Sequence, residues 1–313
     1  MHARVAFLAM SLLWLLPVSA LAQAPGVPVY GCCEREDTEG DKAVLAQAHA
    51  LREAGGLLDF QVAKAQLSRT QPILAELPPR RTRRLPARAI WRHARASYLR
   101  IGIYYLCHEC SDWHLNLSGG YVIAKGGIAA TCYHVIANTC PKVTQGYLVA
   151  VDDHGRVYPV LEVLSAQAAF DTAIVRTGAV GLPGLPMDTD VRPGDHAYLF
   201  SDPQGRRGYF SEGMVNRFVH TIEAEAKVVR MNVGTDWAPG SSGAALLDIR
   251  GNAIGHVSSI ATLGRGGEEG KASNRAETHL VLHNAVRAAD VLSMFSGPPP
   301  RGSRKSAPRE GKP

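Results

Sequence analysis

Short apolar runs separated by glycine and proline dominate the chain from about position 97 onward. About ten of them have strand length, for example SYLRIGIYYL, GGYVIAKGGIAATCYHVI and AKVVRMNV, and no helical insert of ten residues separates them. This pattern favours an all-β barrel or sandwich over β-α-β units. The stretch Gly-Leu-Pro-Gly-Leu-Pro at 181–186 divides the β region into nearly equal halves. We therefore predict two packed barrels over residues 97–286, divided near 181–190.

Helical spacing of apolar residues occurs on either side of this β region. Residues 41–67 follow it with an interruption at Gly55-Gly56, which predicts two short helices within an accessory or pro-segment at 23–70. Residues 282–295 again favour a helix, so we expect a short helix and a basic disordered tail over 287–313. Residues 71–96 are rich in proline and arginine and lack apolar periodicity, which predicts a linker.

The first 22 residues have the composition of a secretory signal peptide. A basic start is followed by an apolar core at 5–18 and by small residues, Ala20 and Ala22, spaced for cleavage. The apolar run is shorter than the roughly 20 residues of a spanning helix, so we expect no membrane span. The sequence predicts an exported protein, either periplasmic or secreted.

The charge pattern argues against a nucleic-acid partner. The formal net charge is +6, but the basic residues concentrate in PPRRTRR at 78–84 and in the tail from Arg301. Both segments lack apolar periodicity and are typical of a linker and a disordered tail. The six cysteines of an exported chain favour disulfides over thiols.

The segment TDWAPGSSGAALLDIRGNAIG places two serines between two glycines at the mouth of a hairpin. Elsewhere His134 ends the apolar run A-A-T-C-Y-H-V, and Asp171 begins the apolar run F-D-T-A-I-V. A partly buried carboxylate is costly unless it is paired, and a histidine is its natural partner, because the carboxylate then fixes the imidazole tautomer. The turn is therefore better explained as a nucleophile turn, with the N–H groups of Gly240 and Ser242 directed at an oxyanion.

The order His134, Asp171, Ser242, with the contexts T-C-Y-H-V, F-D-T-A-I-V and G-S-S-G and the hairpin LLDIRGNAIG, resembles the trypsin/chymotrypsin-like serine endopeptidases. The resemblance covers about 97–284 and is greatest to the bacterial Deg and glutamyl-endopeptidase branch, without a PDZ domain. It implies two six-stranded antiparallel barrels, polypeptide substrates, and no metal or organic cofactor. Ser242 would attack the scissile carbonyl, His134 would transfer the proton and Asp171 would orient the imidazole.

Two alternatives stay open at this point. Either carboxylate of the adjacent pair Asp152-Asp153 could orient the imidazole in place of Asp171. Ala244 and Ala245 stand where the family has a glycine and a proline, and Cys132 replaces a small or amide residue. These departures leave a catalytically inactive, protease-like binding module as the alternative to an enzyme.

The specificity pocket is indicated by Asp236, which lies six residues before Ser242. Trypsin-type enzymes carry an aspartate there, which implies a preference for Lys or Arg, whereas Trp237 filling the pocket would favour small apolar residues. His256 suggests an acidic preference, but the glutamyl-specific branch has its histidine one position later, at Val257.

The cysteines suggest two local pairs. Cys107 and Cys110, with His114 nearby, could bind zinc, but a structural zinc site usually has four ligands and no second CxxC exists, so a disulfide is favoured. Cys132 and Cys140 flank His134 and resemble the family's disulfide around that histidine. Cys32 and Cys33 have no assigned role.

Overall fold

The computed structural model describes residues 39–137, 142–264 and 278–297. The predicted signal peptide, the basic tail, and Cys32, Cys33 and Cys140 lie outside these ranges. The helices are α1 (Glu39–Glu53), α2 (Phe60–Gln66), α3 (Ala87–Ser97), α4 (Tyr133–Ala137) and α5 (Ala288–Leu292). The strands are β1 (Leu58–Asp59), β2 (Tyr98–Cys107), β3 (Trp113–Ala124), β4 (Ile128–Thr131), β5 (Val143–Asp152), β6 (Val157–Gln167), β7 (Thr172–Thr177), β8 (His196–Ser201), β9 (Tyr209–Glu223), β10 (Ala226–Val233), β11 (Ala245–Leu247), β12 (Ala253–Gly264) and β13 (Thr278–Arg287).

The strands form two antiparallel sheets, one in each half of the chain. The first has seven strands in the order β1-β5-β2-β3-β4-β7-β6, and β5 also pairs with β6. The second is a closed barrel of six strands in the order β10-β13-β12-β11-β8-β9. The predicted mainly β architecture is confirmed, with one closed six-stranded barrel and a second sheet. The connection between the two halves runs from β7 to β8 and includes the predicted division near 181–190.

A shared hydrophobic core holds the two halves together. Tyr121, Ile123 and Ile174 of the first sheet are fully buried in the same cluster as Leu199 and Leu246 of the barrel. Burial of each such aliphatic side chain contributes about 1.5–3 kcal/mol to the free energy of unfolding. The ends of β3, β4 and β7 are thereby fixed against β11 and β12.

The N-terminal segment contains the two predicted helices. Gly55, with φ of +70°, separates α1 from β1, and Asp59 caps α2 by accepting hydrogen bonds from the N–H groups of Gln61 and Val62. Val44 and Ala48 of α1 are buried against the first sheet. Both helices are therefore packed parts of the fold.

The predicted linker is also packed against the protein. It contains α3, whose Ile90 and Ala94 are buried, because the apolar positions of this helix recur every four residues between arginines. Before α3, the N–H of Arg81 donates to Asn252 Oδ1 at 2.8 Å, and Asn252 Nδ2 donates to Arg81 O at 3.0 Å. The arginine-rich segment thus lies along the second barrel.

The expected helix at 282–295 is mostly wrong. Residues 282–287 belong to β13, which pairs with β12 and β10, and only Ala288–Leu292 is helical. A short apolar run does not distinguish a strand from a buried helix by periodicity alone, and here closure of the barrel selects the strand. Over the described ranges, none of the helices is both long enough and apolar enough to cross a membrane.

Candidate active site

The histidine and the aspartate meet at the edge of the first sheet. Strand β4 leads directly into α4, where His134 lies in the first turn, and Asp171 immediately precedes β7, the neighbour of β4. His134 Nδ1 lies 3.0 Å from both carboxylate oxygens of Asp171, and the backbone N–H of His134 donates to Asp171 Oδ1 at 3.1 Å. The His134 side chain is 51% exposed, whereas that of Asp171 is 13% exposed. The carboxylate is therefore placed to orient an imidazole that is open to solvent.

Asp171 is held in its ionised form. Burial raises its pKa, but hydrogen bonds and charge from His134, together with a hydrogen bond from Ser258, outweigh burial and lower the pKa to about 2. Ser258 Oγ donates to Asp171 Oδ2 at 2.6 Å. The backbone of Asp171 is left-handed, with φ of 51°, which aspartate tolerates better than most residues. An ionised carboxylate at this position fixes the proton of the imidazole on Nδ1.

The two serines of the glycine turn have different surroundings. Ser241 is fully buried, and its hydroxyl forms a hydrogen bond of 3.0 Å with that of Ser201. Ser242 is half-buried, and its Oγ donates to the carbonyl oxygen of Ser258 at 3.4 Å. Among the described residues, no hydrogen bond joins Ser242 Oγ to His134. Ser242 rather than Ser241 is therefore the accessible hydroxyl.

The turn around Ser242 requires both of its glycines. Gly240 and Gly243 have φ of +97° and +87°, and a Cβ at Gly240 would lie 2.8 Å from the carbonyl oxygen of Asp202. A Cβ at Gly243 would collide with the carbonyl oxygen of Gly119. Within the described part of the chain, neither the N–H of Gly240 nor that of Ser242 donates a hydrogen bond. Two backbone donors are thus available beside the hydroxyl.

The turn is supported from both sheets. Ser118 Oγ of β3 donates to the carbonyl oxygen of Ser242 at 3.0 Å. On the other side the N–H of Gly243 donates to Val257 O at 2.8 Å, and the N–H of Val257 donates to Ala244 O at 3.0 Å. Ala244 is fully buried. The alanines at 244 and 245 are therefore accommodated in a regularly bonded turn.

The rival carboxylates have other partners. Asp152 accepts hydrogen bonds from Arg156 Nε at 2.8 Å and from the Tyr158 hydroxyl at 3.0 Å. Burial raises the pKa of Asp152, but hydrogen bonds from Arg156 outweigh it and the pKa is lowered. Asp153 forms an ion pair with Arg95. Neither carboxylate contacts His134 in the described structure.

The residues predicted for the specificity pocket differ in their exposure. Asp236 is exposed, and its Oδ2 accepts a hydrogen bond from the Tyr209 hydroxyl at 3.1 Å. Trp237 is buried and stacks on His283 with ring centroids 4.5 Å apart. Val257 is 1% exposed and belongs to the core. Of these residues, Asp236 alone offers a charge to a ligand in solution.

Two further side chains of β12 contact the aspartate segment. Ser258 was not predicted, and His256 was considered only for specificity. His256 is fully buried, with Nε2 at 3.4 Å from both Asp171 O and Thr172 Oγ1. Burial lowers the pKa of His256 to about 4, although the charge of Asp171 raises it. Their spacing of two residues is the signal that could have found them, because alternate residues of a strand share one face.

The predicted disulfides stay predictions, and two of their cysteines make hydrogen bonds to other residues. Cys140 lies outside the described residues, so its pairing with Cys132 is not seen there. Cys132 is fully buried and its thiol donates to Val257 O at 3.0 Å. Cys110 Sγ faces the imidazole of His114, with 2.9 Å between Sγ and Nε2. The CxxC spacing predicts that the sulfurs of Cys107 and Cys110 lie close together, but it does not predict the contact of Cys110 with His114.

Part of the chain is similar to known proteins. Residues 118–255 match the model of the trypsin-like peptidase domain. Over these residues the chain is similar to that domain. It is 25% identical over 154 residues to a protein of Halomonas elongata named a probable periplasmic serine endoprotease, DegP-like, with 49% of this chain and 31% of that protein covered. The chain thus spans about a third of that relative.

A solved structure of the HtrA-type protease AlgW with a tripeptide is similar in fold. The TM-score is 0.50 at 16% identity, covering 67% of this chain and 62% of that one. At this identity the likeness concerns the fold. The two antiparallel sheets of this chain therefore have a counterpart in a solved structure.

Proposed function

We propose that this chain is an exported serine endopeptidase that hydrolyses peptide bonds through an acyl-enzyme. The observation that carries the proposal is the Asp171–His134 pair beside a glycine turn that presents the Ser242 hydroxyl with two available N–H donors. The trypsin-like domain match and the named protease relative support the same chemistry. The relative's periplasmic name and the leader-like first 22 residues support export.

The proposed reaction follows the usual order of a serine, histidine and aspartate triad. Ser242 Oγ attacks the scissile carbonyl carbon while His134 Nε2 takes the hydroxyl proton, and Asp171 stabilises the imidazolium through Nδ1–H. The N–H groups of Gly240 and Ser242 bind the oxyanion, and each such donor is worth about 2.7–4 kcal/mol. The imidazolium then protonates the leaving amine, and a water molecule activated by the same imidazole releases the acid.

Before attack, the hydroxyl of Ser242 turns from Ser258 to His134. Its present hydrogen bond to Ser258 O is long, at 3.4 Å, and therefore weak. Moving a serine hydroxyl between staggered rotamers needs no backbone change. Catalytic hydrogen bonds are often unformed without substrate and tighten once it is bound.

The catalytic groups come from both halves of the fold. His134 and Asp171 belong to the first sheet, whereas Ser242 and Ser258 belong to the second barrel. The β5–β6 pairing joins the strands β5-β2-β3-β4-β7-β6 into a ring, which supports a first barrel of six strands beside the second. In this arrangement polypeptide substrates lie across the junction. The exposed carboxylate of Asp236 supports a preference for a basic residue before the scissile bond. The alternative is a preference for a small apolar residue there, which the bulk of the buried Trp237 supports.

One observation favours a second function. Because Ser242 Oγ bonds to Ser258 O, the hydroxyl as described is not activated, which suits a protease-like binding module without turnover. The two functions differ in whether the hydroxyl reacts with a transition-state mimic.

Fluorophosphonate labelling of the purified protein tests the choice, with the modified residue located by peptide mass mapping. Ser242→Ala should abolish labelling and leave the fold intact, because only a long hydrogen bond is lost. Ser241→Ala, the matched control, loses the buried bond to Ser201 yet should still be labelled. A folded wild-type protein that does not react would establish the binding module instead.

A further inference from the structure

A second chemical cluster lies at the hairpin between β2 and β3. Cys107 ends β2, Cys110 lies in the turn and His114 is the second residue of β3. The sulfurs and one imidazole nitrogen all lie within 4.8 Å of one another. None of these residues takes part in the proposed hydrolysis.

The backbone of the turn holds these side chains together. The N–H of Cys107 donates to Asp112 O at 2.9 Å, and the N–H of Ser111 donates to Cys107 O at 2.9 Å. Ser111 has φ of 60°, a left-handed conformation that folds the chain back tightly after Cys110. The convergence of the side chains is therefore built into the backbone of the hairpin.

We infer that Cys107, Cys110 and His114 bind a Zn²⁺ ion, with a water molecule as the fourth ligand. Thiolate and imidazole donors together select zinc over hard cations such as Mg²⁺ and Ca²⁺. In a tetrahedral site with Zn–S of about 2.3 Å and Zn–N of about 2.0–2.1 Å, neighbouring ligand atoms are roughly 3.5–3.8 Å apart. Cys110 Sγ and His114 Nε2 are 2.9 Å apart, and all three ligand atoms lie within 4.8 Å of one another, so small side-chain rotations reach that spacing. Binding displaces the two thiol protons to solvent.

The surroundings of the cluster explain what the ion would do. Residues 108–112 are all exposed, so burial contributes little to holding the turn closed. The turn contacts Lys142, just before β5, through the Glu109–Lys142 ion pair at 2.9 Å and the hydrogen bond from His108 N to Lys142 O at 3.0 Å. An ion shared by Cys107 and His114 would cross-link β2 to β3 at the turn end of the hairpin. Metal binding of this kind adds directly to folding stability.

A disulfide explains the same residues less well. It would use the two sulfurs but leave His114 without a role, although its Nε2 lies 2.9 Å from Cys110 Sγ. The half-buried imidazole is placed on the strand so that it reaches the turn, as a third ligand would be. The spacing C-x2-C-x3-H therefore describes one site rather than a disulfide with an adjacent histidine.

The test measures metal content and stability of the full mature chain carrying Ser242→Ala, which prevents self-cleavage. After incubation with Zn²⁺ and gel filtration, elemental analysis should find about one zinc per chain. Co²⁺ in its place should give the intense visible absorption of a tetrahedral thiolate site. Zinc at a hundredfold excess over Kd should raise Tm by roughly 5–10 °C.

Matched variants separate this site from adventitious binding. Cys110→Ser and His114→Ala should each lower zinc affinity by more than about tenfold and abolish the Tm shift. Cys132→Ser and His154→Ala, which remove a thiol and an imidazole elsewhere, should retain both. Zinc that is retained in Cys110→Ser and His114→Ala, or a metal-free protein with alkylatable thiols, would overturn the inference. So would a Cys107–Cys110 disulfide in the mass of the unreduced protein. Fluorophosphonate labelling of Ser242 in the wild-type chain tests the protease proposal separately.

Discussion

Two places in the described part of the chain bring a cysteine, a histidine and a third ligand-type side chain within 4.8 Å of one another. One is the hairpin cluster of Cys107, Cys110 and His114, and the other, which we name the proposed catalytic cluster, consists of Cys132, His134 and Asp171. The sets are alike in distance but differ in burial and in the partners of each atom. Proximity alone therefore does not determine the chemistry of such a cluster.

In the proposed catalytic cluster each of the three residues is already engaged in hydrogen bonds. Burial raises the pKa of the Cys132 thiol well above its ordinary range, with the charge of Asp171 adding to the effect, and the thiol donates to Val257 O. The carboxylate of Asp171 accepts hydrogen bonds from His134 and Ser258. A protonated, buried thiol is a poor metal ligand. This cluster is suited to orienting an imidazole, whereas the hairpin cluster presents Cys110 to solvent.

The largest expected effect comes from Asp171→Asn, which removes the charge but keeps the shape. Turnover of a peptide substrate should fall by about 10⁴-fold, as in chymotrypsin-type triads, because the imidazole adopts the wrong tautomer. Zinc binding at the hairpin should not change. Asp153→Asn is the control, since that carboxylate pairs with Arg95. Near-normal kcat/KM in Asp171→Asn would remove Asp171 from the mechanism.

Low pH should lower the free energy of unfolding through protonation of His256, which contacts Asp171 of the proposed catalytic cluster. The pKa of His256 is about 4 in the folded chain against an ordinary 6.5, so between these values the unfolded chain binds a proton that the folded chain does not. Stability therefore falls as pH drops from about 6.5 to 4, by roughly 3 kcal/mol in total. Asp171, with its pKa lowered to about 2 from 3.8, adds a further loss as pH falls below about 4.

Urea unfolding at pH 7, 5.5 and 4 measures the contribution of His256. The His256→Gln variant should show a flatter dependence between pH 6.5 and 4, because it lacks the titrating group. Equal slopes in wild type and variant would mean that His256 is not the residue responsible.

A smaller effect is expected from Ser258→Ala. The variant loses one hydrogen bond to a charged carboxylate, worth about 1.5–3 kcal/mol, so kcat/KM should fall roughly 10- to 150-fold. The adjacent Ser259→Ala is the control, because Ser259 accepts a hydrogen bond from Asn284 instead. Equal losses in the two variants would show a general disturbance of β12 rather than a specific role in positioning Asp171.

The sequence predicts a feature well where residues close together in the chain determine it. The strand pattern, the two N-terminal helices and the positions of His134, Asp171 and Ser242 follow from short motifs and periodicity. The end of β13 was predicted as a helix because its apolar run is short, and α3 was missed because its arginines obscure two buried positions, Ile90 and Ala94.

Contacts between distant positions could not be predicted in the same way. Ser258 reaches Asp171 across 87 positions of sequence. The direction of the Cys110 side chain depends on the left-handed Ser111 and on His114 across the hairpin. These features are set by the packing of two sheets and by the geometry of one turn.

The smallest effect is expected from Cys132→Ala, and it decides whether the two clusters differ as argued. The variant loses a buried thiol and its hydrogen bond to Val257 O, which should lower the free energy of unfolding by about 1–2 kcal/mol. Peptide hydrolysis should stay within about threefold of wild type, because the sulfur acts by packing and His134 keeps its hydrogen bonds to Asp171. Urea unfolding and kcat/KM measured on the same preparation separate the two effects. A loss of activity far beyond the loss of stability would mean that the Cys132 thiol takes part in the reaction. In that case cysteines would have a chemical role in both clusters, and the proposed difference between them would be wrong.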